Sequence, residues 1–477
     1  MAFAFGIYVV IRAFNIPITV DECSTAVTHV PRTLSDLLFL KTDANPNNHI
    51  LNTILIKLFT GIFGWHPFVV RLPALLGAFA YAVSGWLLCR RIFINSWIGV
   101  FAYAMFLGQP YMLEFFSLAR GYSLGLGCMV TAIWFAARFF EKNSRIDLLW
   151  SAVFTGLAVY ASFTETLFAV PFAFITLLLG WQRRNSVASF WHQAGPALSV
   201  YGIWGILLIV PLLRFSNHSE VKIWVRIDSL FQSTMRTMDA AIHRNPLMGR
   251  DAAEIFTWMA LSFTWVVGIT ALYKWRRSNW KIPDFKTFLV LLLLAVLIFN
   301  IIQVKVTGVT YLQPRLALFY WPLFALSLGA GTTWLYESVD KWTWALVIPT
   351  AVLTFTNVGT SVNLREASEW WHDRDTYTVL NYIGDAYKKE ARTEPFTMDM
   401  YNLLQNSFIF HLDRDPREFR KWVKTMGWHP GPPEKEGFDF FYTLSEDALR
   451  YLDKYDVVLR LPASDRVLLR KKTNPSQ

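Results

Sequence analysis

Charge and cysteine are scarce in this chain. Of 477 residues only 17% are Asp, Glu, Lys or Arg, and the three cysteines are Cys23, Cys89 and Cys128. Those cysteines share no pairing or metal-ligand spacing, which excludes a disulfide framework and a zinc-finger class. So little charge cannot coat the roughly three soluble domains that this length would suggest at about 150 residues each. Internal repeats and low-complexity tracts are also lacking, as is a small-residue cleavage site after the first apolar run, so that run is read as a membrane helix and not as a signal peptide. It starts at Met1 without a basic flank, which leaves room for a start further upstream. What is plentiful is apolar: 54% hydrophobic and 16% aromatic residues, with a mean hydropathy of +0.31. Disordered and collagenous classes are excluded, and an integral membrane protein is expected. The excess of 45 Lys and Arg over 35 Asp and Glu, a net +10, would suit nucleic acid if the basic residues formed a patch. They flank apolar runs instead, so membrane lipids and not nucleic acid are the expected partner.

A spanning helix needs about 20 mostly apolar residues, because lipid offers no partner to an unpaired backbone amide. Eleven runs qualify, near 1–19, 67–89, 96–113, 121–138, 148–163, 165–182, 196–213, 253–274, 285–303, 316–336 and 342–360. Lys and Arg beside short loops stay cytoplasmic. With the N-terminus inside, the cytoplasmic links hold Arg90-Arg91, then Arg138, Lys142 and Arg145, then Arg183-Arg184, then Lys274, Arg276, Arg277 and Lys281. Only the last link, around Glu337 and Asp340, gives no such support. An odd number of spans then puts the C-terminus outside. The expected fold is a polytopic α-helical transmembrane domain, 1–360, followed by a small extracytoplasmic α/β domain, 361–477. Segments 34–40 and 50–63 are apolar but short, and are placed as helices lying in the outer interface. The tail alternates extended signals (395–400, 438–444) with helical ones (401–411, 445–454), as a small α/β domain does.

Ionisable residues are missing from the middle of the apolar runs; Arg71, Glu254, Lys286 and Lys305 sit at their ends or beyond. Ion-coupled carriers and flippases need polar groups at mid-depth, which disfavours both. Polar chemistry gathers instead on the outer side, as for an enzyme working where a lipid headgroup meets an aqueous acceptor. Asp21-Glu22 follows the first run directly. The pair reads as a solvated loop start or as a general base with an orienting neighbour. Asn45-Pro-Asn-Asn48-His49 opens an interfacial helix, where Asn47 or Asn48 would serve as a cap; alternatively Asn48 and His49 bind sugar hydroxyls or phosphate. Glu114 and Arg120, with Tyr122 beyond them, would pair at the surface or present a cation to a leaving phosphate. Glu165, in the turn Ser162-Phe-Thr-Glu165, lies on the same side. The basic loop 214–252 (Arg214, Lys222, Arg226, Arg236, Arg244, Arg250) reads as a headgroup-contacting surface. His29, His218 and His243 lack metal spacing, and Asn217-His-Ser219 matters only in a eukaryotic lumen. Trp370-Trp371-His372-Asp373-Arg374-Asp375 reads as an interfacial anchor of the tail domain, with sugar binding as the alternative, since aromatic and acidic neighbours suit carbohydrate. No cofactor is required; a divalent metal stays open, although Asp21-Glu22 lacks the spaced two-carboxylate pattern that would fix one. A surface-polysaccharide ligase or polymerase, drawing on Arg226 or Arg236, is the rival enzyme class.

Taken together, Asp21-Glu22 after the first run, Asn47-Asn48-His49 before Arg71-Leu-Pro-Ala-Leu-Leu, and Ala119-Arg120-Gly-Tyr-Ser resemble the membrane glycosyltransferases of the C-type fold. Among these they are similar to the dolichyl-phosphate-mannose-protein mannosyltransferase-like family, with its bacterial aminoarabinose and galacturonic acid transferases. The similarity covers the first 130 or so residues; later helices share only topology and Tyr311-Leu-Gln-Pro-Arg315. Many relatives carry an acid directly before the Ala-Arg pair, where this chain has Leu118, and Glu114 stands as its substitute. The resemblance implies inverting transfer of a sugar from polyprenyl phosphate to a glycan, lipid or protein acceptor at the outer face of a bacterial plasma membrane. It implies Asp21 as base with Glu22 orienting, and Arg120, Arg315 and Arg71 at the donor phosphate. Asn48, His49, Glu114, Tyr122 and Glu165 are then the substrate contacts.

Overall fold

The structure is a computed structural model and describes residues 1–42, 48–93, 96–183, 186–216, 227, 229–230, 232–233, 250–280, 283–400, 402–425 and 437–472. The expectations for Asn45 to Asn47, for Arg184 and Lys281, and for most of the 214–252 loop (Asn217, His218, Lys222, Arg226, Arg236, His243 and Arg244) lie outside the described residues.

Each of the eleven apolar runs contains a helix. In chain order the helices are α1 (Ala2–Asn15), α2 (Val20–Ser24), α3 (Leu34–Phe39), α4 (Ile50–Phe63), α5 (Pro67–Ile92), α6 (Ser96–Leu107), α7 (Pro110–Phe115), α8 (Gly121–Lys142) and α9 (Arg145–Ala161). They continue as α10 (Thr166–Gln182), α11 (Val187–Ser216), α12 (Arg250–Arg277), α13 (Phe285–Thr307), α14 (Tyr320–Val339) and α15 (Trp344–Ser361). Among the described residues five stretches are long and apolar enough to cross a membrane: Pro67–Ile92, Gly121–Lys142, Phe163–Gln182, Val187–Arg214 and Phe285–Thr307. Ala2–Asn15 with Val20–His29 forms a sixth, bent by 73°. The run expected over 96–113 is broken, because Pro110 cannot continue a helix and instead opens α7 at its first position.

By contact the chain forms two compact units, one of Met1–Val9, Thr33–Asn52 and Pro73–Val362, the other of Val10–Arg32, Thr53–Leu72 and Asn363–Gln477. In the first unit α5 and α8 approach backbone to backbone. A Cβ on Gly77 would stand 2.5 Å from the backbone of Ser123 and Leu124, and one on Gly127 would stand 2.4 Å from the Gly77 carbonyl oxygen. Without a hydrophobic effect between helices in lipid, small residues that permit such approach hold them together. The Ser84 and Thr131 hydroxyls, 2.9 Å apart, add a polar tie at the same seam.

The second unit holds the α/β segment, with α16 (Thr376–Lys389) and α17 (Asn402–Asp413) and strands β1 (Phe396–Met400), β2 (Val423–Thr425), β3 (Phe440–Leu444), β4 (Tyr455–Leu461) and β5 (Arg466–Lys471). Strand order is β2-β1-β3-β5-β4, with β1 parallel to β2 and β3, and β5 antiparallel to β3 and β4. Met398 faces Phe440 in register, and Phe440 faces Arg470. Val379, Ile383, Phe396, Phe408 and Phe440 form the core between sheet and helices. This unit also takes in Val10–Arg32 and Thr53–Leu72, residues that a boundary at 360 leaves in the first domain. Buried polar bonds explain the assignment: the Arg12 guanidinium donates to the carbonyl oxygens of Asn363 and Glu366, and α2 packs along α17.

Candidate active site

Two groups of the expected residues form, one in each compact unit. In the second unit α1 ends at Asn15, Pro17 turns the chain, and Thr19 caps α2, whose first turn bears Asp21 and Glu22 and which continues into a π-helical stretch, Thr25–His29. Thr19 and Glu22 make a reciprocal capping box. The Glu22 amide donates to Thr19 Oγ1 at 3.4 Å, and the Thr19 amide donates to Glu22 Oε2 at 2.9 Å. Glu22 also receives Arg71, with Nε to Oε1 at 2.8 Å and an ion pair to Oε2 at 2.7 Å. The remaining Arg71 donors reach the carbonyl oxygens of Ala13, Ile16 and Pro17 at 2.7–2.9 Å. Both side chains are wholly buried.

All five N–H groups of Arg71 are therefore spent on α1, the Pro17 turn and Glu22, and none remains for a phosphate. The expectation that Arg71 holds the donor is corrected: it is a clamp on the chain entering α2. Glu22 is engaged in the same clamp and fixes the backbone beside Asp21. Asp21 itself is half-buried on that turn, with its carbonyl oxygen accepting from Thr25 Oγ1 at 3.1 Å.

A residue whose tie to this turn sequence reasoning missed lies in the same unit. Val20 donates its amide to Asp373 Oδ2 at 2.9 Å. Asp373 is buried, and loss of water pushes its carboxyl up to about 8, with the charges of Glu22 and Asp21 adding to the rise. Beside it, His372 is pushed down to about 4 by burial and by Arg466. The available signal was an acid set among Trp370, Trp371 and His372, which is an expensive neighbourhood for a carboxylate.

The first unit gathers His49, Arg120, Tyr122 and Glu165 around the first turn of α8. Arg120 is the residue before the helix, with extended backbone (φ −116°, ψ 146°), and is wholly buried. Its guanidinium lies 5.9 Å from the centroid of the Tyr122 ring, close enough for a cation–π contact. Tyr122 meets the His49 ring edge to face at 4.7 Å and Phe115 at 5.0 Å. His49 Nδ1 donates to the Ala161 carbonyl oxygen at 3.0 Å, which directs Nε2 as the acceptor of the neutral ring. Asn52, one turn into α4, donates to the Ala119 carbonyl oxygen at 3.0 Å and ties that helix to the residue before Arg120. Only glycine fits at 121, where a Cβ would stand 1.9 Å from the Ala161 oxygen and 2.6 Å from His49 Nδ1. Glu165, at the end of a 3₁₀ turn, is buried, and its Oε1 lies 3.3 Å from where a Cβ on Gly125 would be. Asn48 is buried just before α4, Glu114 is buried in the last turn of α7, and Arg315 is half-buried on the 3₁₀ turn Pro314–Ala317.

Residues 49–210 match the family model described as dolichyl-phosphate-mannose-protein mannosyltransferase. The structure is similar to that of ArnT from Cupriavidus metallidurans in the apo state, with a TM-score of 0.52 and 12% identity over 98% of this chain and 96% of that one. It is similar also to the same protein bound to undecaprenyl phosphate, at 0.51 and 13% over 98% and 97%. The chain thus has the fold of the ArnT structures, and its residues 49–210 are similar to the mannosyltransferase family. At such identity the structural likeness is one of fold. No curated protein sequence matches the chain. The segment that matches the mannosyltransferase-like family holds His49, Glu114, Arg120, Tyr122 and Glu165, while Asp21, Glu22 and Arg315 lie outside it. Among the described residues no group of three or more His, Cys, Asp or Glu side chains is arranged to hold a metal ion.

Proposed function

We propose that this C-type-fold protein transfers a sugar from a polyprenyl-phosphate donor to an acceptor hydroxyl at the outer face of a bacterial plasma membrane. The observation that carries the reading is the buried cluster of His49, Arg120, Tyr122 and Glu165, built from elements that approach so closely at position 121 that glycine is required there, in a chain with this fold. A cation, a histidine, an aromatic face and a carboxylate are what a phosphate and a sugar ring need for recognition. The undecaprenyl phosphate bound by the similar ArnT agrees with a lipid-linked donor.

In the proposed step the acceptor oxygen attacks C1 of the sugar from the face opposite the phosphate. Asp21 takes the acceptor proton as the new C–O bond forms, the bond between C1 and the phosphate oxygen breaks, and the configuration inverts. Arg120, with Arg315, stabilises the departing polyprenyl phosphate, whose negative charge grows in the transition state. His49 and Glu165 bind hydroxyls, Tyr122 packs against the ring, and Asn48 and Glu114 are further substrate contacts. The basic clusters that follow alternate runs orient the chain with its N-terminus in the cytoplasm and its α/β segment outside. Eleven spans satisfy that orientation, counting the shorter helices α6 and α9 and the helices α12, α14 and α15.

Asp21→Asn tests the base. It keeps size and hydrogen bonding but accepts no proton, so transfer falls by about 10²-fold or more with the fold retained. The readout is mass spectrometry of envelope glycolipids and glycans from a host lacking the gene and complemented with wild type or variant. Wild-type product from correctly folded Asp21→Asn protein would refute the assignment.

A further inference from the structure

The helix that carries Asp21 begins at Val20 and passes without a break from α2 into a π-helical stretch, Thr25–His29. Its leading amides have no partners within the helix, so the groups that bind them bear on how Asp21, in its first turn, is presented. Three such bonds are present: the Thr19 amide to Glu22, the Glu22 amide to Thr19, and the Val20 amide to Asp373 Oδ2 at 2.9 Å. The first two are local. The third comes from a distant part of the chain, 353 residues away.

We propose that Asp373 is a positioning residue for the transfer, aiming the turn that bears Asp21 through its bond to the Val20 amide. The inference rests on the reading of Asp21 as base. Asp373 is suited to the task because its own segment is held: it ends the 3₁₀ helix Ser368–Asp373, its carbonyl oxygen accepts from Thr376 Oγ1 at 2.8 Å, and Arg374 next to it pairs with Glu366 at 2.7 Å. The groups facing its carboxyl include Asp21, Glu22 and Cys23 on α2, His372 on its own element at 3.7 Å, Ser407 on α17 and Tyr442 on β3, while Arg466 on β5 acts on His372. Oδ1 is buried and has no hydrogen-bond partner among the described residues. Two carboxylates already stand on α2, and burial favours the protonated Asp373, so the bond to Val20 is made without a third negative charge beside the base. A neutral amide at 373 reproduces that arrangement; a methyl group does not.

The test uses the full-length protein in the deletion host, with product and folded protein both quantified for Asp373→Ala, Asp373→Asn and Asp21→Asn. Misaiming a reactive group by an ångström lowers rates by about tenfold to a hundredfold. Asp373→Ala is therefore expected to lower product per folded molecule about tenfold or more, and Asp373→Asn to restore it to within about twofold. Hydrogen exchange of the purified variants should quicken over residues 19–24 in the Ala variant and stay at the wild-type rate in the Asn variant. Wild-type product from Asp373→Ala alongside loss in Asp21→Asn would overturn the positioning role and leave the base standing. Full product from Asp21→Asn would overturn the transfer reading and the positioning role together. If the Ala variant fails to accumulate, the Asn variant decides: loss of product from folded Asp373→Asn overturns the proposal.

Discussion

Each compact unit buries a glutamate, and the two are treated in opposite ways. Glu22 accepts three hydrogen bonds, two from Arg71 and one from the Thr19 amide, and is fixed in all its atoms. Glu165 is equally buried, yet its Oε2 has no hydrogen-bond partner among the described residues, and Gly125 leaves space beside Oε1. A satisfied buried carboxylate with a bidentate arginine is scaffold: removing either partner strands a charge. A buried carboxyl left short of partners destabilises the fold and is retained where something outside the chain completes it. Burial alone thus does not distinguish the two acids; the count of their partners does.

The sharpest way to break that comparison is to remove one side of the clamp. Arg71→Met leaves Glu22 buried and uncompensated, and should cost about 3–5 kcal/mol, whereas Arg71→Met with Glu22→Met should cost much less than the two single changes summed. Thermal denaturation of the purified protein measures both, and additive losses would mean that the pair is not the clamp described. Glu165 should behave in the reverse sense. Glu165→Leu relieves an incompletely bonded carboxyl and should hold stability or raise it by about 1 kcal/mol, while transfer falls about tenfold or more. A parallel drop in stability and transfer would place Glu165 with Glu22 as scaffold. A further buried acid, Asp373, adds a pH axis. Its folded-state value near 8 lies above the usual 3.8, so the folded protein holds a proton that the unfolded chain releases. Stability from this group is greatest at low pH and declines as pH rises toward 8. Asp373→Asn removes the decline, so its melting temperature relative to wild type should rise by roughly 2–4 °C or more between pH 5 and pH 8. An unchanged offset across that range would mean that Asp373 is ionised throughout.

The helices were legible because the signals that set them are local. Ser144 and Asp284 cap α9 and α13 as sequence capping rules anticipate, and Gly308 closes α13 in the left-handed conformation. The cluster around Arg120 was legible in part for the same reason, since Arg120, Tyr122 and the close-packing Gly121 are neighbours in sequence. Arg71 was misread because a lone basic residue next to an apolar run looks alike whether it is saturated by carbonyl oxygens or open to a ligand. Its acceptors, Ala13, Ile16 and Pro17, are apolar residues that offer only backbone, and side-chain patterns do not reveal them. Asp373 was missed through distance: nothing near Val20 announces that its amide will be met by a carboxyl from the far end of the chain.

That distance has a consequence for how the protein is made. Arg12 is among the first residues synthesised, and its buried guanidinium takes its acceptors from Asn363 and Glu366, 351 and 354 residues later. At about 5–20 residues per second the ribosome needs roughly 20–70 s to supply them. Throughout that interval Arg12 and the Val20 amide must be tended by water, headgroups or a chaperone, so the second compact unit closes only near the end of translation. A chain cut before Asn363 is then more than a protein without its tail: it is an intermediate arrested with a charge it has no means to bury.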